Sequence, residues 1–475
     1  MKKELVLDIH ESPKKVSQFI LFAIQHILAV LVATITVPLL IPGLPIAATM
    51  VSAGIGTLFY IFVTKRKSPV FLSSSFAYIN PMLSALAVGG IVNAAGQNAN
   101  YMTLILGMLM VGIVYVAIAI IVKLFGTNWL NKLLPPVVAG PVIMVIGLSL
   151  AAPAIKNLTN TAVGNYNLVC IFCGLVALVV TALCAHYGEG KMLGLIPFVL
   201  GMGSGYLVAL IFTLIGYTWL GNASFRVIDF TPLANVFSNV WANLFNYQMF
   251  MPDTTESFLF LRFEQLAQFD WAQIGQVALI FVPVSLVTVC EHIGDHQNLG
   301  NIIGRDLLNK EPGMTKTLIG DGIATAMSGA LCGAANTTYG ESVAVIGTTK
   351  VASVKVIQLA AILLVILGLF TPLTAFLQTI PACITGGVSI VLYGFIASSG
   401  MKMIINKKVD LNITRNIFII AAILVCGIGG FTLKFGNVQI TSTAVSMIVG
   451  ILLNLILKEK KVEVKEDSDE EKIAE

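Results

Sequence analysis

The chain has 475 residues, of which 57% are hydrophobic and only 11% are charged, whereas about 25% of the residues of an average soluble domain are charged. Its net charge of +4 is small and does not indicate a nucleic-acid partner. The seven cysteines are scattered through apolar stretches, so no disulfide framework is predicted. This composition excludes an ordinary soluble domain and indicates a polytopic membrane protein.

Apolar runs recur between residues 17 and 457, and at about 20 residues each can cross a hydrocarbon layer of about 30 Å as a helix. We predict an all-α protein with about 14 transmembrane segments. With both termini in the cytoplasm, all but four of the 28 Lys and Arg residues lie on the inner side, as the positive-inside rule requires. The four on the outer side are Lys156, Arg226, Arg262 and Lys434.

The two halves of the chain share short patterns that indicate an internal duplication. The patterns are "AIQHI" at 23–27 with "VCEHI" at 289–293, "SSSFA" at 73–77 with "NTTYG" at 336–340, and Pro-x4-Gly-x-Val at 135–142 and 381–388. They occur in the same order in both halves. With about seven crossings per half, the second copy would be inverted in the membrane, as in many secondary transporters.

Two matched segments, "SSSFAYINP" and "NTTYGES", lack the bulky apolar residues of a spanning helix. Asn80 and Pro81 also disfavour a straight helix exposed to lipid. Non-helical backbone at membrane depth is tolerated only where it is buried in protein or lines a cavity. We therefore predict a short extended piece leading into a half-helix in segments 3 and 10, with a binding site where they meet.

Two carboxylates fall within the apolar sequence, Glu291 in "VTVCEHIGDHQ" and Glu341 in "NTTYGESVAVIG". An ionised acid at the bilayer centre costs at least about 2.5 kcal/mol, so each is a candidate functional residue. The alternative for each is an acid at a helix end that reaches water. One acid in each of the two matched regions argues against two independent accidents.

The expected half-helices supply complementary groups, because the first N–H groups of a helix have no partner within it. A ligand carbonyl can accept from the backbone N–H of Gly340 or Ala77, where a small residue allows close approach. A carboxylate beside them accepts from a ligand N–H, and Phe76 or Tyr339 can stack on a ring. These features fit a nucleobase edge, but by themselves they indicate only a small polar solute with N–H donors.

The sequence "EHIGDH" raises a second hypothesis, a metal site. His292 and His296 are four residues apart and share one helix face, while Glu291 and Asp295 share another. A third ligand would have to come from elsewhere, and the sequence has no Cys/His cluster that offers one. We predict neither metal nor cofactor, and keep a membrane-embedded metalloenzyme as the alternative from another class.

The combination of "SSSFA", "EHIG" and "NTTYGE", in this order along the whole chain, resembles the nucleobase–ascorbate transporter (nucleobase:cation symporter-2) family and, within it, the bacterial uracil permeases. The resemblance implies two inverted seven-segment repeats that form a core domain and a gate domain, in a homodimer in the bacterial inner membrane. It implies that Glu291 and Glu341 hold the base. It implies further that Phe76 packs on the base and that Ala77 and Gly340 lend backbone groups.

On this basis the chain divides into seven stretches. They are a cytoplasmic N-terminal tail (1–16), the first half of the core domain (17–126), the first half of the gate domain (127–220), an extracellular amphipathic loop (221–272), the second half of the core domain (273–376), the second half of the gate domain (377–457) and a charged cytoplasmic tail (458–475).

Two departures from the family pattern concern substrate and coupling. The family signature begins Gln/Glu/Pro-Asn-x-Gly, whereas this chain has Ser342 and Ala344 in place of the Asn and Gly. We expect Ala344 to thicken a close-packed helix face, so the resemblance does not fix the exact base. Asp295 stands where some uracil carriers have a His implicated in proton coupling. The proton-coupling candidates are therefore Glu291, Asp295 and Glu341.

We predict a secondary active transporter, not an enzyme, that imports uracil by proton symport through alternating access. Xanthine or another purine is the alternative cargo, although the "NTTYGE" context favours a pyrimidine. An inorganic-anion carrier of the same fold would need neutral or cationic groups at its centre, and two acids oppose it. A passive channel fits poorly, since paired half-helices suit an occluded site. The expected partners are the nucleobase, the proton, the lipid bilayer and a second copy of the chain, with no nucleic acid.

Overall fold

The computed structural model describes residues 5–91, 99–161, 164–189, 191–237, 269–435 and 438–457. Most of the predicted outer loop at 221–272 (residues 238–268) and all of the charged tail at 458–475 lie outside these ranges. The structure therefore does not test the predictions for those two stretches.

Helices make up most of the described chain. The first half contains α1 (Val16–Leu40), α2 (Ile46–Val63), β1 (Leu72–Ser74), α3 (Ile79–Leu86), α4 (Tyr101–Phe125), α5 (Asn128–Leu133), α6 (Pro136–Ser149), α7 (Ala151–Thr159), α8 (Leu168–Tyr187), α9 (Pro197–Ile215) and α10 (Thr231–Phe237). The second half contains α11 (Ile274–Ile303), α12 (Met314–Ala330), β2 (Asn336–Thr338), α13 (Gly340–Thr349), α14 (Val354–Leu369), α15 (Thr371–Gln378), α16 (Ala382–Asn406), α17 (Thr414–Ile428), β3 (Leu433–Phe435), β4 (Val438–Ile440) and α18 (Ser442–Ile456).

Many of these helices can cross a membrane. Within the described ranges, eight helical stretches are long and apolar enough, and a ninth results if α14 and α15, which meet at 77°, form one span. Three shorter apolar helices are Phe76–Leu86, Thr414–Ile428 and Ser442–Ile456. The prediction of a multi-pass, mostly helical protein is confirmed, whereas the count of 14 segments stays a prediction.

The described helices pack in two groups. In the first, α12 lies against α2 and α4, and α14 lies against α2; in the second, α16 lies against α6, α7 and α8, and α17 lies against α6 and α18. The predicted change from core to gate after residue 126 falls between α4 and α5. The predicted boundary after residue 376 falls within α15 and stays a prediction. The chain turns at Phe370, whose backbone is extended, and Pro372 lies in the first turn of the new helix, where its missing N–H costs nothing.

Small residues let α4 and α12 approach closely. A Cβ at Gly112 would lie 2.8 Å from the carbonyl oxygen of Gly322, and a Cβ at Gly322 would lie 2.3 Å from the Cβ of Tyr115. The Tyr115 side chain is buried, and its OH donates to Thr288 of α11 at 2.8 Å. The glycine pair thus brings two backbones together and lets α11 join the same group.

The two predicted extended pieces are present, and they pair with each other. β1 and β2 are antiparallel and fully buried. The facing residues are Leu72 with Thr338, Ser73 with Thr337, and Ser74 with Asn336, and the Ser75 N–H donates to the Ala335 carbonyl at 2.8 Å.

The register of this ladder agrees with the internal duplication. "SSSFA" and "NTTYG" are 263 positions apart, from Ser73 to Asn336. A shift of 263 positions moves Leu72 onto Ala335 and Thr338 back onto Ser75, so the first of the four facing pairs becomes the fourth. In the same way the second pair becomes the third. A ladder that maps onto itself when its strands are exchanged has a local two-fold axis at its centre, as expected for two copies inverted in one membrane.

The predicted N-terminal tail lies partly against the protein. Leu7 forms a parallel bridge with Val351, in the linker between α13 and α14. Ile9 is completely buried. The stretch before α1 therefore includes a packed segment at residues 5–11.

Candidate substrate-binding site

A cavity of about 50 Å³ lies where β1 and β2 lead into their helices. All six residues predicted to bind substrate line it: Phe76, Ala77, Glu291, Tyr339, Gly340 and Glu341. The other lining residues are Ser74, Ser75, Thr337 and Thr338 at the strands, and Ile143, Ile146 and Ile396 from α6 and α16. The fold thus brings two segments that are far apart in the chain to one site.

Side chains of α2 and α12 hold the two strands. Thr57 bonds both backbone groups of Leu72, accepting from its N–H at 3.0 Å and donating to its carbonyl at 3.3 Å. Thr325 donates to the Asn336 carbonyl, and the Asn336 side-chain amide donates to the Ser52 carbonyl at 3.1 Å. Because the strands are buried, these bonds satisfy backbone groups that water does not reach.

Each strand ends at a helix start beside the cavity. After β1, a 3-10 turn at Phe76–Tyr78 leads into α3, and after β2, α13 begins at Gly340. Glu341 occupies the first turn of α13, where the helix dipole and the unpaired N–H groups favour a negative charge. The site therefore combines backbone donors with a carboxylate acceptor.

Glu291 reaches the cavity from α11, where it is half-buried. Asp295 follows one turn later and is outside the lining that the described residues form. Its carboxylate accepts from the Thr338 Oγ1 at 2.8 Å, and Thr338 does line the cavity. The three predicted proton-coupling acids therefore surround one site, with Glu291 and Glu341 in the wall and Asp295 behind β2.

Comparison with known proteins identifies the family. The sequence pattern of a family described as the permease family matches residues 17–435 of this chain. The protein is a permease of the nucleobase:cation symporter-2 family. A uracil permease of Bacillus caldolyticus is 40% identical to it over 453 residues, covering 95% of this chain and 94% of that protein. A uracil permease of Bacillus subtilis (strain 168) is 35% identical over 480 residues, covering 99% and 100% respectively.

The fold of the permease is also known from a more distant protein. The transmembrane domain of a cyanobacterium bicarbonate transporter matches with a TM-score of 0.55 and 14% identity, over 94% of this chain and 99% of that one. At this identity the likeness concerns the fold alone. Family membership confirms the predicted resemblance and makes the protein a membrane transporter, not an enzyme.

Behind the cavity, the permease contains buried polar pairs that the sequence analysis missed. His292 Nδ1 lies 2.7 Å from Asp321 Oδ2, and neither side chain is exposed to solvent. His296 Nδ1 donates to the His292 carbonyl at 2.8 Å, and its Nε2 lies 2.6 Å from the Tyr60 OH. Because a carbonyl only accepts, His296 carries a hydrogen on Nδ1, and the Tyr60 OH also donates to the Ser68 Oγ at 2.9 Å.

These contacts bear on the metal hypothesis. The rings of His292 and His296 lie 4.1 Å apart on one helix face, as predicted, but each ring already bonds to a protein group. In the part of the chain that the structure describes, no group of three or more His, Cys, Asp or Glu residues is placed to hold a metal ion. The arrangement therefore disfavours the metalloenzyme alternative.

The sequence does contain a signal for Asp321, since it is the one acid within the apolar stretch "LIGDGIATAMSG".

A second missed contact joins the two halves of the permease. His26 Nδ1 lies 3.3 Å from the Ser342 Oγ, and both residues are buried. Ser342 follows Glu341 directly, so α1 supports the helix that carries this acid. The echo of "AIQHI" in "VCEHI" singled out His26 but gave no indication of its partner.

The two aromatic residues of the site differ in their surroundings. Phe76 and Tyr339 are 7% and 6% exposed. The Phe76 ring packs edge-on against Tyr393 of α16, with ring centroids 5.8 Å apart. Phe76 thus contacts the second group of helices, while Tyr339 caps the start of α13.

One expectation about the family signature is wrong. Ala344 was expected in a close-packed helix face, but it is exposed. Gly340 and Thr348, four residues before and after it, are exposed as well. This face of α13 begins at the cavity and is not covered by another described helix, so the additional methyl group meets no packed neighbour.

Proposed function

We propose that the permease imports uracil by proton symport through alternating access. The observation that carries this proposal is the shared cavity. Two glutamates of the second half line it, together with two helix starts, one from each half of the chain. The relatives named as uracil permeases, at 40% and 35% identity, support uracil as the cargo.

The polar lining matches the edge of a uracil ring, which alternates N–H donors with carbonyl acceptors. Glu291 and Glu341 would accept from ring N–H groups, in charge-assisted bonds that are stronger than neutral ones. The backbone N–H groups of Ala77 and Gly340 would donate to the carbonyl oxygens, since a helix start leaves such groups unpaired.

The apolar lining would hold the faces of the ring. Phe76 would pack on the base, and Tyr339 offers a second aromatic surface from the other half of the chain. Ile143, Ile146 and Ile396 close the cavity from the second helix group. Apolar residues on that side would let the base slide past without a polar partner to retain it.

Coupling to the proton would follow from the three acids around the site. Glu291, Asp295 and Glu341 repel one another when all are ionised, and the low dielectric of the interior strengthens this repulsion. A proton that enters with the base would remove one of these charges. Protonation of one of the three is therefore our proposal for linking the two loads.

Alternating access would arise from movement of one helix group past the other. We propose that the first group is the core domain (17–126 and 273–376) and that the second is the gate domain (127–220 and 377–457). The whole would comprise 14 segments in two inverted repeats, with both termini in the cytoplasm, as a homodimer in the bacterial cell membrane. The symmetric register of β1 and β2 supports the inverted repeat.

Two other cargoes belong to the same class of transporter. Xanthine or another purine would use the same acceptors and backbone donors, so only competition distinguishes it from uracil. An inorganic anion would meet two glutamates in the cavity wall, and like charge opposes its binding. The likeness to a bicarbonate transporter concerns the fold and does not change this preference.

Uptake of labelled uracil by cells that lack their own carriers tests the proposal. We expect uptake that a protonophore abolishes, with alkalinisation of the medium when uracil is added. Unlabelled uracil should compete fully and xanthine weakly, with thymine and cytosine defining the tolerance of the site. Uptake that competes better with xanthine would change the cargo, and uptake insensitive to the proton gradient would remove the symport.

A further inference from the structure

The packed N-terminal segment, residues 5–11, is bonded to the linker that follows α13. Four backbone bonds join them. The N–H groups of Val6 and Leu7 donate to the Lys350 carbonyl at 2.8 and 3.3 Å, and the N–H groups of Ala352 and Val354 donate to the Leu7 and Ile9 carbonyls at 2.9 Å each. Such a series of backbone bonds fixes the orientation of the two segments relative to each other, because each bond aligns a peptide group of one segment with a peptide group of the other.

The contact has an apolar part as well. Ile9 is completely buried, and Val351 and Ala352 of the linker are 2% and 0% exposed. Burial of apolar side chains on both sides stabilises the contact in water. The segment is therefore attached along its length and not only at one bond.

The same segment reaches the end of α11. Asp8 forms an ion pair with Arg305, with Oδ2 and the guanidinium nitrogen 2.5 Å apart. Arg305 lies two residues beyond the end of α11, after Gly304, and its N–H donates to the Gly300 carbonyl at 2.9 Å. Residues 5–11 thus contact the ends of both helices that carry a glutamate of the cavity, α11 with Glu291 and α13 with Glu341.

The end of α13 needs such support. Lys350 terminates the helix with a φ of +59°, a left-handed conformation that is unfavourable for a residue with a side chain. The segment bonds to the carbonyl of this residue. Both Val6 and Leu7 donate to this carbonyl, and without these bonds the last turn of a ten-residue helix would be free to relax.

We infer that residues 5–11 act as a strap that fixes the position of α13 relative to α11, and so sets the spacing of Glu341 and Glu291. The strap residues are positioning residues that do not touch the base. The inference rests on the proposed function of the cavity, and it predicts that loosening the strap weakens substrate binding more than it slows turnover.

The first test removes one strap bond without removing a buried side chain. Val6 is 64% exposed, so Val6→Pro mainly deletes its N–H, and Val6→Ala is the matched control that keeps it. We expect the KM for uracil to rise about two- to tenfold in Val6→Pro, as the loss of one net hydrogen bond implies. The KM of Val6→Ala should stay at the wild-type value. In both variants the maximal uptake rate, divided by the amount of transporter in the membrane, should change less than KM.

The second test uses the ion pair. Asp8→Arg and Arg305→Asp should each raise KM about two- to fivefold, the effect of an exposed ion pair, and the double variant should restore it. Glu311→Gln is the control, because Glu311 forms its ion pairs with Lys67 of the loop after α2 and with Lys316 of α12. Rescue by the swapped pair separates positioning from a general loss of folding.

Two outcomes would overturn the strap. One is a wild-type KM in Val6→Pro and in both charge reversals, and the other is a fall in protein amount alone with KM unchanged. If the wild-type protein fails to take up uracil, the proposed cargo is lost, but hydrogen exchange still decides the strap. Amides of α13 should then exchange faster in Val6→Pro than in Val6→Ala, and equal exchange would rule the strap out.

Discussion

Glu291 and Glu341 line the same cavity, but their surroundings differ. Glu341 stands in the first turn of α13, where the helix dipole stabilises its negative charge whether or not a base is bound. Glu291 lies in the middle of α11, far from either end of that helix. Among the described residues of the site, Glu291 is therefore the better candidate for taking up and releasing the coupling proton, and Glu341 for gripping the base.

Replacing each acid by its amide should separate these roles. In Glu341→Gln, the loss of a charge-assisted hydrogen bond should raise the KM for uracil about 10- to 100-fold. In Glu291→Gln, uracil should bind to purified protein more weakly than to wild type but better than to Glu341→Gln, because the amide oxygen still accepts from a ring N–H. Net uptake driven by a proton gradient should be lost, while exchange of internal for external uracil continues. Glu311→Gln, which alters an exposed loop acid, is the control. Equal defects in binding for both cavity variants would contradict the division.

The buried pair of His292 and Asp321 should matter for stability first. Removing one partner leaves the other without this hydrogen bond in a place that water does not reach, at a cost of about 1–3 kcal/mol, whereas replacing both by apolar groups can be nearly neutral. We therefore expect lower apparent unfolding temperatures in detergent for His292→Leu and for Asp321→Leu, and a value nearer the wild type for the double variant. Additive losses in the double variant would mean that the two side chains do not depend on each other.

At the scale of elements, the site depends on how closely α4 and α12 approach. The backbone of Gly322 leaves no room for a Cβ beside Tyr115, whereas a Cβ at Gly203 of α9 would meet nothing within 4 Å. Gly322→Ala should therefore force the helices apart at a cost of about 1–3 kcal/mol. Since α12 also carries Thr325, which holds β2, the site should be disturbed as well.

The measurement compares Gly322→Ala with Gly203→Ala. We expect a lower apparent unfolding temperature and a raised KM for uracil in Gly322→Ala. Gly203→Ala should keep the wild-type KM and an unfolding temperature equal to or above that of the wild type, because alanine is the better helix former and meets no neighbour there. A wild-type KM in Gly322→Ala, despite lower stability, would show that the strand contacts tolerate movement of α12.

At the scale of the whole molecule, local sequence predicted the broken helices, because small polar residues and Pro81 leave few other conformations at membrane depth. It also predicted that Glu291 and Glu341 share a site, through the duplication. It could not predict that His26 meets Ser342 or that His292 meets Asp321, since those contacts depend on how separate helices pack. The exposure of Ala344 and the packing of Ile9 were missed for the same reason.

The relation between the two helix groups yields the last prediction. Asn80 of α3 donates to Ser149 of α6 at 3.2 Å, which joins the first group to the second. If the core must move past the gate, a covalent link at this point should stop transport. Ser52 of α2 and Ser328 of α12, whose hydroxyls are 2.7 Å apart, both lie in the first group, so a link there should leave the movement unaffected.

Cysteine pairs at these positions, in a variant without the seven native cysteines, distinguish moving from static contacts. Cross-linking Asn80→Cys to Ser149→Cys with a short bifunctional thiol reagent should abolish uracil uptake, and a reductant that cleaves the link should restore it. The same treatment of Ser52→Cys with Ser328→Cys should change uptake little. Continued uptake with the 80–149 link complete would rule out relative movement of the two groups as the transport step. A link of a few ångströms holds α3 and α6 together, so the core could not move past the gate.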